Sequence, residues 1–281
     1  MHKIAIIASL KDSAGVNIRN NLIGLFNPEK TGEKFDNNDV FDHNKIPDKN
    51  IKLYLTNDEL IFSENIDKRI DADFLIFASR HRSKENKPSF TVHPIGNWNK
   101  ADFGGKEKAL CPSSAFLLKS LFIELNKNSF LFSKETNFQV TMEATHHGPY
   151  VEKPAVFVEI GSTDKEWEDS QNGEIIARTI MNALEMFKVP EHENGWVSAL
   201  LLGGGHYAQA GNKAMLSTNY AIGHICPKYL LEHITEDILL QAVERITPKP
   251  SVILLDWKGL GQCKQKISAL LDNTGMRYER I

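Results

Sequence analysis

The 281-residue sequence has little of what marks several common protein classes. Its three cysteines, Cys111, Cys226 and Cys263, are odd in number, far apart and without a C-x-x-C pair. A disulfide framework is therefore disfavoured, and the cytoplasm is the expected location. No apolar stretch approaches the length of a membrane span, and the N-terminal run MHKIAIIAS is too short for a signal peptide. We expect a soluble protein without a membrane partner.

Several ligand-binding motifs are also missing. The chain contains neither the G-x-G-x-x-G fingerprint of dinucleotide sites nor a P-loop, and it has no H-E-x-x-H zinc motif. The net charge is −3 and the pI is near 6.4, so nothing indicates a globally basic nucleic-acid binder. A local basic patch remains compatible with these values.

Short buried runs alternate with helical patterns, which predicts an α/β fold with a mostly parallel central sheet flanked by helices. We expect one domain over residues 1–281, with a soft internal boundary near 130–136. Residues 27–50 are polar and without periodicity, so they predict an exposed loop. The predicted strands are 4–8, 51–56, 73–79, 138–144, 155–160, 196–202, 218–223 and 252–255. The predicted helices are 12–26, 57–70, 113–127, a segment from the capping box of Thr163 and Glu166 to before Pro190, 236–246 and 258–271.

The stretch 138–163 carries the strongest functional signal. Two strand patterns flank a polar hinge that contains His146, His147, Gly148 and Pro149. The second strand is apolar except for Glu159, and a buried carboxylate must be paired, neutral or bound to something. Two histidines on a Gly-Pro turn close to such a carboxylate predict a site.

A second candidate element is the turn after the strand 196–202, which reads Gly203-Gly204-Gly205-His206-Tyr207. Consecutive glycines allow positive φ angles and close backbone approach, so their amides could converge on an oxyanion or a phosphate. The alternative is a tight turn that carries a surface histidine.

The segment 80–108 is locally basic, with seven Lys or Arg against three acidic residues. It begins beyond a predicted strand end with Arg80 and His81, and it also carries His93, Asn97 and Trp98. Basic side chains interleaved with an aromatic residue suit a phosphate backbone. A solvated loop is the alternative.

The ten histidines are unevenly placed. Six of them follow predicted strands or lie in Gly/Pro turns, namely His81, His93, His146, His147, His206 and His224. The other four, His2, His43, His192 and His233, look incidental, and His43 is expected at the solvated surface. Several imidazoles with Glu159 would suit a hydrolytic or metal centre, although no ligand spacing indicates zinc by itself.

In combination, these motifs resemble the D-aminoacyl-tRNA deacylases of the archaeal and plant type. The resemblance covers nearly the whole chain, and it departs at Ala208-Gln209, where the family pattern leads us to expect Ala-Pro. Its motifs are Ser9 to Gly15, Ser79-Arg80-His81, His93 to Trp98, Thr145 to Pro149, Glu159 to Ser162 and Gly203 to Tyr207. The resemblance implies hydrolysis of the ester that joins a D-amino acid to tRNA, with zinc as cofactor. It also implies a fold related to peptidyl-tRNA hydrolases and nucleoside phosphorylases.

On this basis we predict roles for individual residues. The predicted catalytic residues, which are also the candidate metal ligands, are His146, His147, Glu159 and His206. The predicted contacts to substrate and tRNA are Arg80, His81, His93, Asn97, Trp98, Gly148, Pro149, Ser162, Gly204, Gly205 and Tyr207. The segment His147-Gly148-Pro149 is a candidate for the wall that excludes L side chains. Two alternatives are a nucleoside phosphorylase or hydrolase of related fold and a non-catalytic tRNA-binding module.

Overall fold

A computed structural model of the protein describes residues 1–132, 138–188 and 195–281. In these ranges the chain forms an eight-stranded sheet, a four-stranded parallel sheet and two small two-stranded sheets. The expected α/β class with a mostly parallel sheet is confirmed. None of the helices in the described ranges is both long enough and apolar enough to cross a membrane.

The elements have the following bounds. The strands are β1 (His2–Ser9), β2 (Glu29–Phe35), β3 (Asn38–His43), β4 (Lys49–Thr56), β5 (Phe74–His81), β6 (Ser89–Pro94), β7 (Gly96–Asn97), β8 (Ala109–Leu110), β9 (Ser113–Ser114), β10 (Gln139–Met142), β11 (Ala155–Gly161), β12 (Val197–Leu202), β13 (Tyr220–Cys226), β14 (Ile246–Thr247), β15 (Val252–Leu255) and β16 (Tyr278–Arg280). The helices are α1 (Ser13–Phe26), α2 (Ala115–Phe132), α3 (Asp164–Glu168), α4 (Ser170–Met186), α5 (Gln209–Ser217), α6 (Glu236–Glu244) and α7 (Lys264–Thr274).

The large sheet has the order β10-β6-β11-β5-β1-β4-β3-β2. Strands β11, β5, β1 and β4 are parallel, whereas β6 runs antiparallel to β11 and carries β10 beside it. The carboxyl ends of β5 and β11 therefore lie at the same edge, where ligands of parallel sheets usually bind. The smaller sheet, β13-β12-β15-β16, is parallel throughout.

The two faces of the large sheet are covered differently. In β1 the alternating side chains of Ile4 and Ile6 join the larger core together with residues of α1, α2 and α4. Ala5 and Ile7 point the other way, because successive strand residues face opposite sides. Their core contains Phe77 stacked on Phe157 at 4.9 Å between ring centroids, and its remaining cover comes mostly from loops.

The prediction of an exposed loop over residues 27–50 is wrong. β2 and β3 form an antiparallel hairpin at the edge of the sheet, joined through Asp36 and Asn37 at φ 50° and 65°. Positive φ at both central residues is the signature of the twisted two-residue hairpin turn that Asp and Asn favour. His43 is buried, with its ring edge against Phe26 at 6.1 Å, and is not a solvated surface residue as expected.

The basic segment 80–108 is not one long loop either. Within it β6 lies inside the sheet, between β10 and β11, and all six of its residues are buried. The predicted helix over 57–70 contains only the 3₁₀ turns Leu60–Phe62 and Ile66–Lys68, and the last helix starts at Lys264 instead of residue 258. The predicted capping box of Thr163 and Glu166 is confirmed at α3. His192 and residues 133–136 of the proposed boundary lie outside the described residues, and that boundary stays a prediction.

Candidate active site

A cavity of about 910 Å³ opens where β5 and β11 end. The register places Glu159 of β11 beside Ser79 of β5, and Gly161 beside His81. Six acidic and imidazole side chains of the lining form one cluster, namely His81, Glu143, His146, His147, Glu159 and His206. They come from the strands β5 and β11, the segment after β10 and the turn after β12, so the fold brings together groups that are far apart in the chain.

Glu143, which follows β10, lies at the centre of this cluster. Its side chain is fully buried, with Oε2 2.8 Å from His206 Nε2 and 3.6 Å from His146 Nε2. Its other oxygen lies 3.0 Å from His81 Nδ1. Burial alone would raise the pKa of this carboxyl, but His206 and His81 hold it well below its usual range. Glu143 is therefore an anion shared by three imidazoles.

His81 is the positive counterpart of two buried carboxylates. Its Nδ1 lies 3.6 Å from Glu159 in addition to the contact with Glu143, and its Nε2 is 3.3 Å from the hydroxyl of Tyr207. Burial acts to lower the pKa of His81, but the hydrogen bonds and charges of Glu143 and Glu159 raise it to about 11. The pKa of Glu159 falls to about 2, because His81 and His93 outweigh the effect of burial. At neutral pH His81 is thus an imidazolium between two carboxylates.

His146 and His147 are neutral. Burial, followed by the charge of His93, lowers the pKa of His147 to about 4 and that of His146 well below its usual value. Nδ1 of His146 lies 2.7 Å from the carbonyl of Ala144, and Nδ1 of His147 lies 2.6 Å from the carbonyl of Gly148. A carbonyl oxygen only accepts, so both rings donate through Nδ1 and keep the lone pair on Nε2.

His93 lies next to His146 and His147 and is the most deeply buried of the three imidazoles. It is fully buried on β6, stacks on Phe157 with ring planes 2° apart, and lies 4.2 and 4.8 Å from the ring centroids of His146 and His147. Its Nδ1 faces the carbonyl of Pro94 at 3.1 Å, so Nε2 is again the inward nitrogen. No protein atom in the described ranges hydrogen-bonds this buried Nε2.

These donors fit a metal ion. The nitrogens of His93, His146 and His147 lie within 4.8 Å of one another, and a second group joins Glu143, His146 and His206 within the same limit. Nitrogen ligands fixed by a carbonyl on the opposite side of the ring are the usual arrangement around zinc. Nε2 of His93 has no hydrogen-bond partner among the described residues, but Glu159 lies 3.7 Å from it and, against the effect of burial, raises the pKa of His93, so a cation binds there only after this ring has lost its proton.

The turn that carries the two histidines is fixed by its neighbours. His147 adopts a φ of 47°, a left-handed conformation that few residues other than glycine take up. Its carbonyl accepts from Gly96 N at 3.1 Å, and Gly148 N donates to the carbonyl of Phe103 at 3.0 Å. Just before the turn, Thr145 N donates to Ile225 O of β13 at 3.0 Å. The turn is therefore held by β7, by the loop at Phe103 and by β13 of the four-stranded sheet.

His224 supports the same turn and does not reach the cavity. Its ring is fully buried, and its Nδ1 lies 3.1 Å from the hydroxyl of Thr145 while its Nε2 lies 3.0 Å from the carbonyl of Cys111. Burial lowers the pKa of His224 to about 3, so the ring is neutral and donates through Nε2. It is a structural histidine.

Basic side chains line another part of the cavity. Arg80 and Arg82 extend over the ring of Trp167, with guanidinium carbons 5.7 and 5.3 Å from its centroid. Lys11 and Lys84 lie in the same lining. Asp12 caps α1 and accepts from the backbone N–H of Arg80 at 2.9 Å, which fixes the start of this basic segment. These side chains are suited to phosphate.

The glycine turn does not line the cavity. Gly204 is buried against Asp256 and its carbonyl accepts from Lys228 N at 2.8 Å, while Gly205 is exposed. The prediction that Gly204 and Gly205 contact an oxyanion or phosphate is therefore corrected. The turn instead positions His206, whose carbonyl accepts from Ala144 N at 2.7 Å. Tyr207 reaches the site through its hydroxyl, which touches His81.

Several predicted substrate contacts are braces within the protein. Trp98 is only 1% exposed and donates to Ile225 O at 3.0 Å, so it cannot stack on a ligand. Asn97 is buried and donates to the carbonyl of Gly104 at 2.9 Å. Gly148 and Pro149 are buried behind the histidines, so of the predicted wall only His147 faces the cavity. Ser162 does line the cavity, although its hydroxyl donates to Lys87 O at 2.8 Å.

The sequence analysis missed Glu143, and a signal for it existed. It alternates with Met142 and Ala144 at the end of a predicted strand, and it immediately precedes the Thr-His-His turn. The alternation by itself assigns Glu143 to the polar face of the strand. The argument used for Glu159, that a carboxylate in a fully covered strand must be paired, applies equally to Glu143.

Comparison with known proteins places this geometry in one family. A sequence model described as D-aminoacyl-tRNA deacylase matches residues 68–279. The D-aminoacyl-tRNA deacylase of Thermococcus onnurineus is 34% identical over 98% of this chain and 98% of its own length. That of Methanocaldococcus jannaschii is 35% identical over 99% and 100% of the two chains. The crystal structure of a conserved protein of unknown function, AF0625, superposes with a TM-score of 0.86 at 32% identity, over 99% of this chain and 95% of that one.

Proposed function

The chain belongs to the D-aminoacyl-tRNA deacylase family, and we propose that it hydrolyses the ester between a D-amino acid and the 3′ end of tRNA. The observation that carries the proposal is the convergence of His81, His146, His147 and His206 on Glu143 and Glu159 in one cavity with a basic side. The reaction recycles mischarged tRNA, and such a substrate makes the cytoplasm the expected location.

Hydrolysis requires water to attack the ester carbonyl carbon, while the bond to the ribose oxygen breaks and that oxygen leaves with a proton. Without a metal ion, the neutral Nε2 lone pairs of His146 and His147 can accept the proton from water; a lone pair that binds a metal ion cannot serve as this base. His206 is our candidate for passing a proton to the leaving oxygen; its Nε2 lies 2.8 Å from Glu143 and its Nδ1 lies 3.1 Å from the hydroxyl of Tyr229, so one of these contacts must give way to the substrate. The His81 imidazolium supplies positive charge for the tetrahedral oxyanion.

We further propose that zinc binds at His93, His146 and His147, with Glu143 and His206 as neighbouring donors. A bound zinc ion would lower the pKa of its water ligand to about 7 and so supply a nucleophile at neutral pH. The neutral state of His146 and His147 supports this assignment, because a metal needs deprotonated imidazole nitrogens.

Arg80, Arg82, Lys11 and Lys84 would hold phosphates of the acceptor end. For chirality, the fixed backbone of the His147 turn remains our candidate wall, since its carbonyl and the following amide are both held by hydrogen bonds. Neither alternative function gains support. A nucleoside phosphorylase would use the glycine turn to bind phosphate, yet Gly204 and Gly205 do not line the cavity. A non-catalytic tRNA-binding module would not require two buried carboxylates, whose removal from water is unfavourable.

The test compares hydrolysis of D-tyrosyl-tRNA and L-tyrosyl-tRNA by the wild type, His146→Ala and His233→Ala. The wild type should act on the D form, His146→Ala should lose at least about a hundredfold in rate, as expected for a general base, and exposed His233 should be dispensable. Equal wild-type rates on both enantiomers would refute the proposal.

Zinc is tested separately by measuring metal content and thermal stability before and after chelation. We expect bound zinc in the wild type, a lower melting temperature without it, and reduced zinc content in His147→Ala but not in His233→Ala. Full activity of metal-free protein would exclude the zinc assignment while leaving the deacylase proposal intact.

A further inference from the structure

Phe103 is an exposed aromatic side chain on the wall of the cavity. Its side chain is 67% exposed, and it lines the cavity together with Leu60 and Ile61. A large apolar ring left in water forgoes the stabilisation that burial would bring, so its position calls for an explanation. Neither the basic side of the cavity nor the histidines account for it.

The backbone around Phe103 is held on both sides. Its own carbonyl accepts from Gly148 N at 3.0 Å, the carbonyl of Gly104 accepts from Asn97 at 2.9 Å, and Gly105 N donates to Glu64 at 2.6 Å. Gly104 has a φ of 75° and is pressed so closely against the carbonyl of Ile61 that a Cβ atom would overlap it. The ring is thus presented by a rigid loop, and its exposure does not come from a frayed segment.

The loop is joined directly to the imidazole turn. Gly148, which donates to Phe103, is the residue after His147, and both Phe103 and His147 line the cavity. A group stacked on the ring would therefore lie in the same cavity as the imidazoles. The basic residues 80–84 belong to a different segment, which packs on Trp167.

This arrangement matches the three substituents of a terminal adenosine. The acyl ester would sit at the histidines, the 5′-phosphate at the basic segment and the base at Phe103. Aromatic side chains bind bases by stacking, and such stacking depends on the π-face and not on particular hydrogen bonds. The base is the same in every tRNA, whereas the amino-acid side chain varies, so a fixed and open aromatic platform suits the base better.

We propose that Phe103 determines specificity for the nucleotide end of the substrate by stacking on the terminal base of the tRNA acceptor end. This inference rests on the proposed deacylase function. The stacking role that the sequence suggested for Trp98 cannot be filled by that buried ring, and the exposed ring of Phe103 takes it.

The experiment uses two small esters, D-tyrosyl adenosine and a D-tyrosyl ester of an abasic ribose analogue. The wild type should prefer the adenosine ester in kcat/KM by about five- to a hundredfold, the range expected for one stacked base. Phe103→Ala should bring the ratio close to one, mainly by raising KM for adenosine, and Phe103→Tyr should restore it. Phe62→Ala is the matched control, because Phe62 is 54% exposed nearby but does not line the cavity.

The inference is overturned if Phe103→Ala keeps the preference for adenosine or slows both esters equally. It is also overturned if the variant loses more activity on D-tyrosyl than on D-alanyl adenosine, since the ring would then bind the amino acid. Binding of adenosine 5′-phosphate against ribose 5-phosphate gives a readout without turnover, and Phe103→Ala should weaken only the former. If the wild type binds the nucleotide in this way yet hydrolyses no D-aminoacyl ester, the deacylase proposal fails and the stacking site stands.

Discussion

Replacing Glu143 by glutamine tests whether buried carboxylates hold His81 as an imidazolium. The substitution keeps the shape of the side chain and removes its charge 3.0 Å from His81 Nδ1, leaving Glu159 as the more distant partner at 3.6 Å. The folded-state pKa of His81 should therefore fall from about 11. The measurable consequence is a change in how stability depends on pH.

The sign follows from linkage between protonation and folding. Because the folded pKa of His81 lies above its unfolded value of 6.5, its contribution to the free energy of unfolding is complete below pH 6.5 and is lost as pH rises towards 11. The limiting slope is about 1.4 kcal/mol per pH unit, so the wild type should lose about 3 kcal/mol between pH 7 and pH 9 through this group. In Glu143→Gln the loss should be smaller, since only the carboxylate of Glu159, 3.6 Å from His81, then raises the pKa of this ring.

Below neutral pH, Glu143 itself makes the free energy of unfolding depend on pH, and the dependence has the opposite sign to that of His81. The pKa of Glu143 is lowered in the folded protein, so its contribution is present above its usual value of 4.5 and is lost as pH falls. That loss should be absent from the variant.

The assay is urea unfolding followed by tryptophan fluorescence at a series of pH values, with chelator present so that no metal competes with protons. Subtracting the variant from the wild type cancels the titration of groups common to both. Glu174→Gln removes a partly exposed carboxylate paired with Arg178 on α4 and should leave the pH slope unchanged. Identical slopes for the wild type and Glu143→Gln between pH 7 and pH 9 would show that Glu143 does not hold the charge on His81.

Two further predictions concern stability, and both can be measured by urea unfolding. In α1, Gly15→Ala should lower the free energy of unfolding by about 1–3 kcal/mol, because the new Cβ would lie 2.6 Å from the carbonyl oxygen of Ala78. Gly24→Ala is the control: its Cβ would meet no atom within 4 Å, so it should raise the free energy of unfolding by about 0.5–1 kcal/mol. Equal effects at the two positions would contradict this account of the packing. In α2, Lys119→Met should lower the free energy of unfolding by about 1–2 kcal/mol, because the buried ammonium donates to two carbonyls at 2.7 Å. Lys127→Met, at an exposed position, is the control and should change stability by less than about 0.5 kcal/mol. If Lys119→Met leaves stability unchanged, these hydrogen bonds do not stabilise the fold.

The parts of the fold that could be predicted are those in which local pattern and burial agree. The apolar runs of β1, β5, β11, β12 and β15 are covered on both faces and read clearly as strands. The β2–β3 hairpin failed because it lies at the sheet edge, where most of its residues are exposed or half-buried. Such a strand shows no apolar period, and only the Asp36-Asn37 turn indicates it.

The site could be predicted as a set of residue types but not as a set of contacts. Glycines and histidines in turns predicted a functional site. The prediction treated Gly204 and His206 alike, yet Gly204 packs on Asp256 whereas His206 lines the cavity. Burial separates the two cases, and burial depends on how β12 docks against the turn after β10. Trp98 failed for the same reason, because an aromatic residue in a polar segment can face inward.

The cluster also explains how two carboxylates can remain ionised inside the protein. A buried charge is tolerable only when partners return the lost hydration, and Glu143 and Glu159 find them in His81, His93 and His206. The partners of Glu159 come from β5 and β6 of the large sheet, whereas Glu143 also pairs with His206 from the turn after β12. The charge of Glu143 is therefore fully balanced only when the second sheet has docked, and a variant that loosens this docking should raise the pKa of Glu143 more than that of Glu159.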